Sequence, residues 1–134
     1  MTQVRIEPWG TDDLPLVEKV MGDPRMTEHL GGPESPEKLA ERQVRYARIA
    51  STGTGRMFKV VDIASGEGVG SVGYWEREED RTTVWETGWN VIPEFQGRGI
   101  AAEAMRLVIE AARADGKHRW MDAYPAIDNG ASNA

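Results

Sequence analysis

The stretch spanning residues 85–112 constrains this chain most, because it reads as a strand, a glycine turn and a long helix in immediate succession. Its first half, Trp-Glu-Thr-Gly-Trp-Asn-Val-Ile, is rich in aromatic and β-branched residues, and Pro93 stops the strand by removing a ladder donor. Gly97 and Gly99 then strip side chains from the turn just before a helix begins at Ile100. Ile100, Ala101, Ala104, Leu107, Val108 and Ala111 form one apolar stripe along that helix, and Gly116 ends it. A strand predicted over residues 119–124 must return alongside the first one, which requires a strand–helix–strand crossover with parallel pairing. The first amides of a helix have no intrahelical partners and sit at the positive end of its dipole. Gln96 to Ala101, with Arg98 among them, therefore predict a seat for a phosphate or pyrophosphate.

The rest of the chain divides into a helical part and a hairpin part. A short strand at residues 4–7 is closed by Pro8, and Thr11 or Asp12 is placed to cap a helix carrying Leu14, Val17, Val20 and Met21 at helical spacing. A brief further helix is predicted at 25–30, then a loop at Gly31-Gly32-Pro33. Ser35 as N-cap and Pro36 at the first helical position start another helix, with Leu39, Tyr46 and Ile49 inward and Glu37, Lys38, Glu41, Arg45 and Arg48 on a solvated face. After Gly53-Thr54-Gly55 the pattern changes to strands at 57–63, 69–76 and 82–92, joined by a glycine turn and by a charged turn at 78–81. The expected fold class is α/β (α+β): a mixed sheet with antiparallel N-terminal strands and helices, followed by the β-α-β crossover.

At 134 residues the chain suits a single domain, 1–134. It has no cysteine, which removes disulfides, thiolate metal sites and a cysteine acyl-enzyme. The two histidines, His29 and His118, lie far apart in sequence, so no metal site is expected. A net charge of −6 with scattered arginines argues against a nucleic-acid partner. No apolar run approaches the roughly 20 residues that span a bilayer, and the N-terminus lacks a signal peptide's apolar core. The expected address is cytoplasmic, with no membrane partner.

Gly97-Arg98-Gly99-Ile100-Ala101-Ala102 formally matches the dinucleotide fingerprint G-x-G-x-x-G/A, a weak signal on its own. Context opposes it, since four residues separate the strand from the glycines, antiparallel hairpins precede them and several βαβ units are missing. A P-loop is excluded because no Lys-Ser/Thr follows the glycines.

Gln96-Gly97-Arg98-Gly99-Ile100-Ala101 resembles instead the Q/R-x-x-G-x-G/A acetyl-CoA signature of the GCN5-related N-acetyltransferase (GNAT) superfamily. The segments 66–75, 86–94 and 128–133, and the loop from Asp23-Pro24 to Gly32-Pro33, resemble the subgroup containing the ribosomal-protein-alanine N-acetyltransferases. The resemblance covers nearly the whole chain, with its motifs in the family's order. It implies an acyltransferase that uses acetyl-CoA as co-substrate and acetylates a primary amine, on a small molecule or a protein N-terminus, by direct transfer. It also implies that the backbone amides of Gln96, Gly97, Arg98, Gly99, Ile100 and Ala101 hold the pyrophosphate. Asn90, Val91 and Ile92 would then line the pantetheine arm, Asn129 would contact it, and Ser132 would lie near the thioester sulfur. Asn129 and Ser132 suit a helix cap equally well, and the two roles are compatible.

Amine acetylation needs a deprotonated amine, a donor for the developing oxyanion and a route for protons. Glu86 is the candidate base, with half-burial between Trp85 and Trp89 expected to raise its pKa; a cross-strand partnership with an arginine or lysine is the competing reading. A strand amide near Val91 is the family's donor. Met26, His29, Leu30 and Trp75 are candidate walls of the acceptor pocket, or simply core. Glu76, Glu78, Glu79 and Asp80 would favour a cationic amine by their field, unless they form an ordinary exposed turn. Family members continue beyond the Asn-x-x-Ser segment into a further helix and two strands, so the domain is expected to lack its last elements, and the exposed edges to favour a homodimer. Two other functions fit parts of the pattern: a non-catalytic acyl-CoA-binding or regulatory module, and, more remotely, a NAD-binding protein.

Overall fold

The computed structural model describes residues 3–27, 32–118 and 121–123. Among the described residues five strands form one sheet in the order β1 (Val4–Pro8), β2 (Gly55–Asp62), β3 (Gly68–Glu79), β4 (Thr82–Val91) and β5 (Met121–Ala123). The first four are antiparallel neighbours, and β5 runs parallel to β4 through Trp85↔Met121, Glu86↔Asp122 and Thr87↔Ala123. This is the mixed sheet and crossover expected from the sequence. The helices are α1 (Leu14–Met21), α2 (Pro24–Thr27), α3 (Pro36–Thr52) and α4 (Ile100–Asp115).

The sheet is covered on both faces. Tyr74 and Thr87 reach α4, through Asp115 Oδ2 at 3.1 Å and Met105 Sδ at 3.8 Å. A register shift opposite Val60 and Val61 turns Gly68 to the other face, where an added Cβ would lie 3.0 Å from Leu16 of α1. There α1 packs on β3 and α3, and α3 packs on β2. Trp85 is 1% exposed and sits edge-on between Tyr74 and His118, with ring centroids 4.7 and 4.6 Å away. Buried Trp9 donates its indole N–H to Gln43 Oε1 at 2.7 Å, and Gln43 Nε2 donates to Gly10 O, so this polar pair is satisfied inside the core.

Three local expectations are revised, and a fourth falls partly outside the described residues. Asp13, rather than Thr11 or Asp12, is the N-cap residue of α1, and its carboxylate accepts from Gly10 N and Lys59 Nζ instead of capping the helix. The second short helix covers Pro24–Thr27, and residues 28–30 of its expected span lie outside the described residues. Ile63 falls outside β2 and is 45% exposed. Strand β3 continues to Glu79, so the charged turn narrows to Asp80 and Arg81, whose φ angles of 47° and 67° match the right-handed twist of a tight hairpin. Ser35 does cap α3, accepting from Lys38 N, and its partner Pro36 opens the helix as expected.

Glu34 anchors the loop before α3. Its N–H donates to Met21 O, and its carboxylate takes a two-point clamp from Arg42, Nε to Oε1 at 2.8 Å and Nη2 to Oε2 at 2.6 Å. The guanidinium holds the Glu34 carboxyl below its usual range. A carboxyl depressed by folding stabilises above its unfolded value and loses that contribution as pH falls through the folded one. Arg42→Met should therefore flatten the fall in stability below about pH 4.5, with a loss of about 1 kcal/mol near neutrality. Urea midpoints across that range test this; an unchanged acid limb would contradict it.

Candidate active site

The end of β4 presents its backbone in a defined direction. An added Cβ on Gly70 would lie 2.1 Å from Asn90 O, so the Asn90 carbonyl aims at β3. On the next peptide, Ile92 N donates to Val69 O at 2.8 Å while Val91 O accepts from Gln96 Nε2 at 2.8 Å on the opposite side. Because C=O and N–H of one trans peptide point in opposite directions, the Val91 N–H faces the β5 side. Among the described residues the β4–β5 ladder ends at Thr87↔Ala123, so Val91 lies beyond the last pair.

The turn follows at once. Pro93–Phe95 make one 3₁₀ turn, Gln96 is extended, and Gly97 and Gly99 have φ of 80° and 75°. Both require glycine, since a side chain there is strained, and an added Cβ on either would meet nothing within 4 Å. Gly99 is also the N-cap residue of α4 and supplies no side chain, so the first amides of that helix are uncapped. Alternating left-handed residues turn successive N–H groups toward one side and make an anion-binding concavity. A small bare hollow in front of a helix dipole is what a diphosphate needs.

Contacts distant in sequence brace this turn. Gln3 Nε2 donates to Arg98 O at 3.0 Å, and the Glu103 carboxylate accepts from Gln3 N at 2.8 Å and Val4 N at 3.1 Å. On the strand side, Gln96 Nε2 also touches Met26 Sδ at 3.6 Å, and Arg25 bridges Asp23 and Glu94 at 2.8 and 2.9 Å. That guanidinium holds both carboxyls below their usual range. The sequence carried no local signal for Gln3, Glu103 or Arg25, because each acts on a residue far along the chain.

The candidate residues differ in burial and in placement. Val91, Ile92, Ile100 and Ala101 bury their side chains, so only their backbone faces the site. Gly97, Arg98 and Gly99 are exposed, Gln96 folds back onto Val91, and the Arg98 guanidinium lies 4.9 Å from the Phe95 ring centre. Asn90 reaches Ser71 Oγ at 3.4 Å. Met26 is buried against Gln96, at the turn itself. His29, Leu30, Asn129 and Ser132 lie outside the described residues.

Glu86 is half-buried, but strand alternation puts it on the face opposite Trp85 and Trp89, which corrects the expected placement between them. Its cross-strand neighbour is Trp75, whose indole N–H donates to Glu86 Oε2 at 2.7 Å. Gly88 leaves room for this arrangement, since an added Cβ would sit 3.0 Å from the Trp75 ring. Glu86 and Trp75 thus form one polar–aromatic pair on the side of the sheet that carries α1 and α3. The acidic hairpin is less available than expected: Glu76 is taken by His118 at 2.7 Å and Lys117 at 3.2 Å, which depress its carboxyl.

Residues 3–134 match the family model described as the acetyltransferase (GNAT) domain. Among solved structures, a GNAT-family acetyltransferase from Bacillus anthracis superposes with a TM-score of 0.74 at 17% identity, covering 96% of this chain and 74% of that one. An acetyl transferase from Salmonella typhimurium, described as modifying the N-terminal serine of 50S ribosomal subunit protein L7/L12, gives 0.73 at 16%, covering 100% and 77%. The aminoglycoside enzyme AAC(6')-Ib, in complex with ribostamycin and coenzyme A, gives 0.74 at 17%, covering 98% and 79%. At these identities the likeness is one of fold. No curated protein matches the sequence.

Proposed function

The chain belongs to the acetyltransferase (GNAT) domain family, and from that premise we propose that it transfers the acetyl group of acetyl-CoA directly to a primary amine, on a small molecule or a protein N-terminus. The observation that carries this reading is the pairing of two left-handed glycines with an uncapped helix, one 3₁₀ turn beyond a strand whose Val91 N–H faces the β5 side. The coenzyme A bound by AAC(6')-Ib and the N-terminal serine modified by the Salmonella protein support the co-substrate and the class of acceptor.

The bound thioester supplies an activated acyl carbon and a thiolate leaving group. The amides from Gln96 to Ala101 hold the pyrophosphate, with Asn90, Val91 and Ile92 presenting backbone to the pantetheine arm. The Val91 N–H donates to the oxygen on which charge gathers as the amine nitrogen bonds to the acyl carbon. Glu86, its carboxylate oriented by the Trp75 indole, accepts the proton the amine gives up. The carbon–sulfur bond then breaks with its electron pair on sulfur, and the Ser132 hydroxyl donates a hydrogen bond to the departing thiolate. The acceptor enters on the Glu86–Trp75 face, while the co-substrate lies along the strand edge.

Binding to the folded state alone raises apparent stability. Acetyl-CoA and CoA at about a hundred times their Kd should each add about 2.7 kcal/mol, read as an upward thermal shift, whereas NAD should add none. A shift with NAD and none with CoA would overturn the proposal. Release of CoA thiol on a panel of primary amines then tests transfer; binding without turnover on any acceptor would favour a non-catalytic acyl-CoA module.

A further inference from the structure

We propose that Gln3 is a positioning residue for the phosphate seat: its side-chain amide fixes the Arg98–Gly99 peptide with the N–H turned toward the bound anion. This rests on the reading of Gln96 to Ala101 as the pyrophosphate site. The direction follows from the same peptide geometry that orients Val91. Gln3 Nε2 holds the Arg98 carbonyl on the β1 side at 3.0 Å, so the Gly99 N–H points away from β1.

That peptide has little reason of its own to stay in place. Gly97 and Gly99 flank Arg98, both at positive φ, and an added Cβ on either would meet nothing within 4 Å. Glycine accepts either orientation of an adjoining peptide at small cost. In the flipped arrangement the Arg98 carbonyl would present its negative end to the phosphate. An external donor therefore decides which end of the dipole the ligand meets, and Gln3 is that donor.

Gln3 is itself fixed by the helix it serves. The Glu103 carboxylate, in the first turn of α4, accepts from the backbone N–H groups of Gln3 and Val4. Val4 is fully buried and paired with Asp62, so this end of β1 is anchored in the sheet. The loop closes from Glu103 through Gln3 to Arg98 and back into the helix. It also directs the Glu103 charge onto the amides of Gln3 and Val4, at a helix end where a carboxylate facing the seat would repel the anion.

The test measures affinity for CoA and ADP by calorimetry, and kcat/KM with acetyl-CoA and with acetyl-pantetheine, which lacks the pyrophosphate. Gln3→Ala should weaken CoA and ADP by about fivefold to tenfold, and Gln3→Glu by more, since a carboxylate cannot donate and adds repulsion. KM for acetyl-CoA should rise with kcat held, and kcat/KM for acetyl-pantetheine should stay within about twofold, an effect that general loosening of the fold would not produce. Glu103→Ala, which removes the acceptor of the Gln3 and Val4 amides, should lower CoA affinity in the same sense. Unchanged CoA and ADP affinity in both Gln3 variants would overturn the role of Gln3, as would an equal loss with acetyl-pantetheine. A wild-type chain that binds neither CoA nor ADP would overturn the seat itself.

Discussion

Gly99→Glu is expected to lower kcat/KM for acetyl-CoA by at least about a hundredfold while the chain still folds. Two effects add. Any side chain at φ 75° incurs the left-handed cost, about 1–2 kcal/mol, which lowers the melting temperature by several degrees. The carboxylate would then project from the N-cap of α4 into the hollow proposed for the pyrophosphate, where like charges about 4 Å apart repel by up to about 4 kcal/mol at an effective dielectric near 20. Gly99→Ala separates these terms, because its methyl group meets nothing within 4 Å. It should reproduce the thermal loss with a much smaller loss of affinity. Calorimetric titration with CoA is decisive: a glutamate variant binding within about threefold of wild type would remove the turn from the proposed site.

Glu86→Gln should depress kcat by about 10²- to 10⁴-fold, the usual contribution of a positioned base, with acetyl-CoA affinity nearly unchanged. The substitution is conservative in shape. The glutamine carbonyl can still accept from the Trp75 indole, which lies 2.7 Å from the carboxylate, so the local packing survives while proton acceptance is lost. Near-normal turnover at all pH values would return Glu86 to a structural role beside Trp75. Trp75→Phe supplies the intermediate case: the ring stays, the indole donor goes, and the carboxylate is less well oriented.

The fold was legible in the sequence wherever a short window carries its own physical demand. Pro93 stops a strand, Ser35-Pro36 starts a helix, and Gly97 and Gly99 supply positive φ whatever surrounds them. The stripe of α4 was legible for the same reason, although Leu107 and Ala111 are only half-buried and Ala112 takes a buried place. Charged residues misled where their partners lie elsewhere. Glu76 belongs to an acidic run in sequence, yet His118 and Lys117 neutralise it across the sheet. Asp13 stands at a helix start, yet Lys59 and Gly10 claim its carboxylate.

Local sequence was thus enough to determine that a bare glycine turn precedes a helix after a strand, since backbone preference and apolar periodicity act within a few residues. Tertiary structure alone decided how that turn is aimed. The amide that orients Arg98 comes from Gln3, 95 positions away, and the carboxylate that holds Gln3 comes from Glu103, 100 positions away. Glu86 likewise finds Trp75 only because β3 and β4 pair in one register. A hydrogen bond depends on tenths of an ångström between groups that docking brings together, and no window of sequence contains that distance.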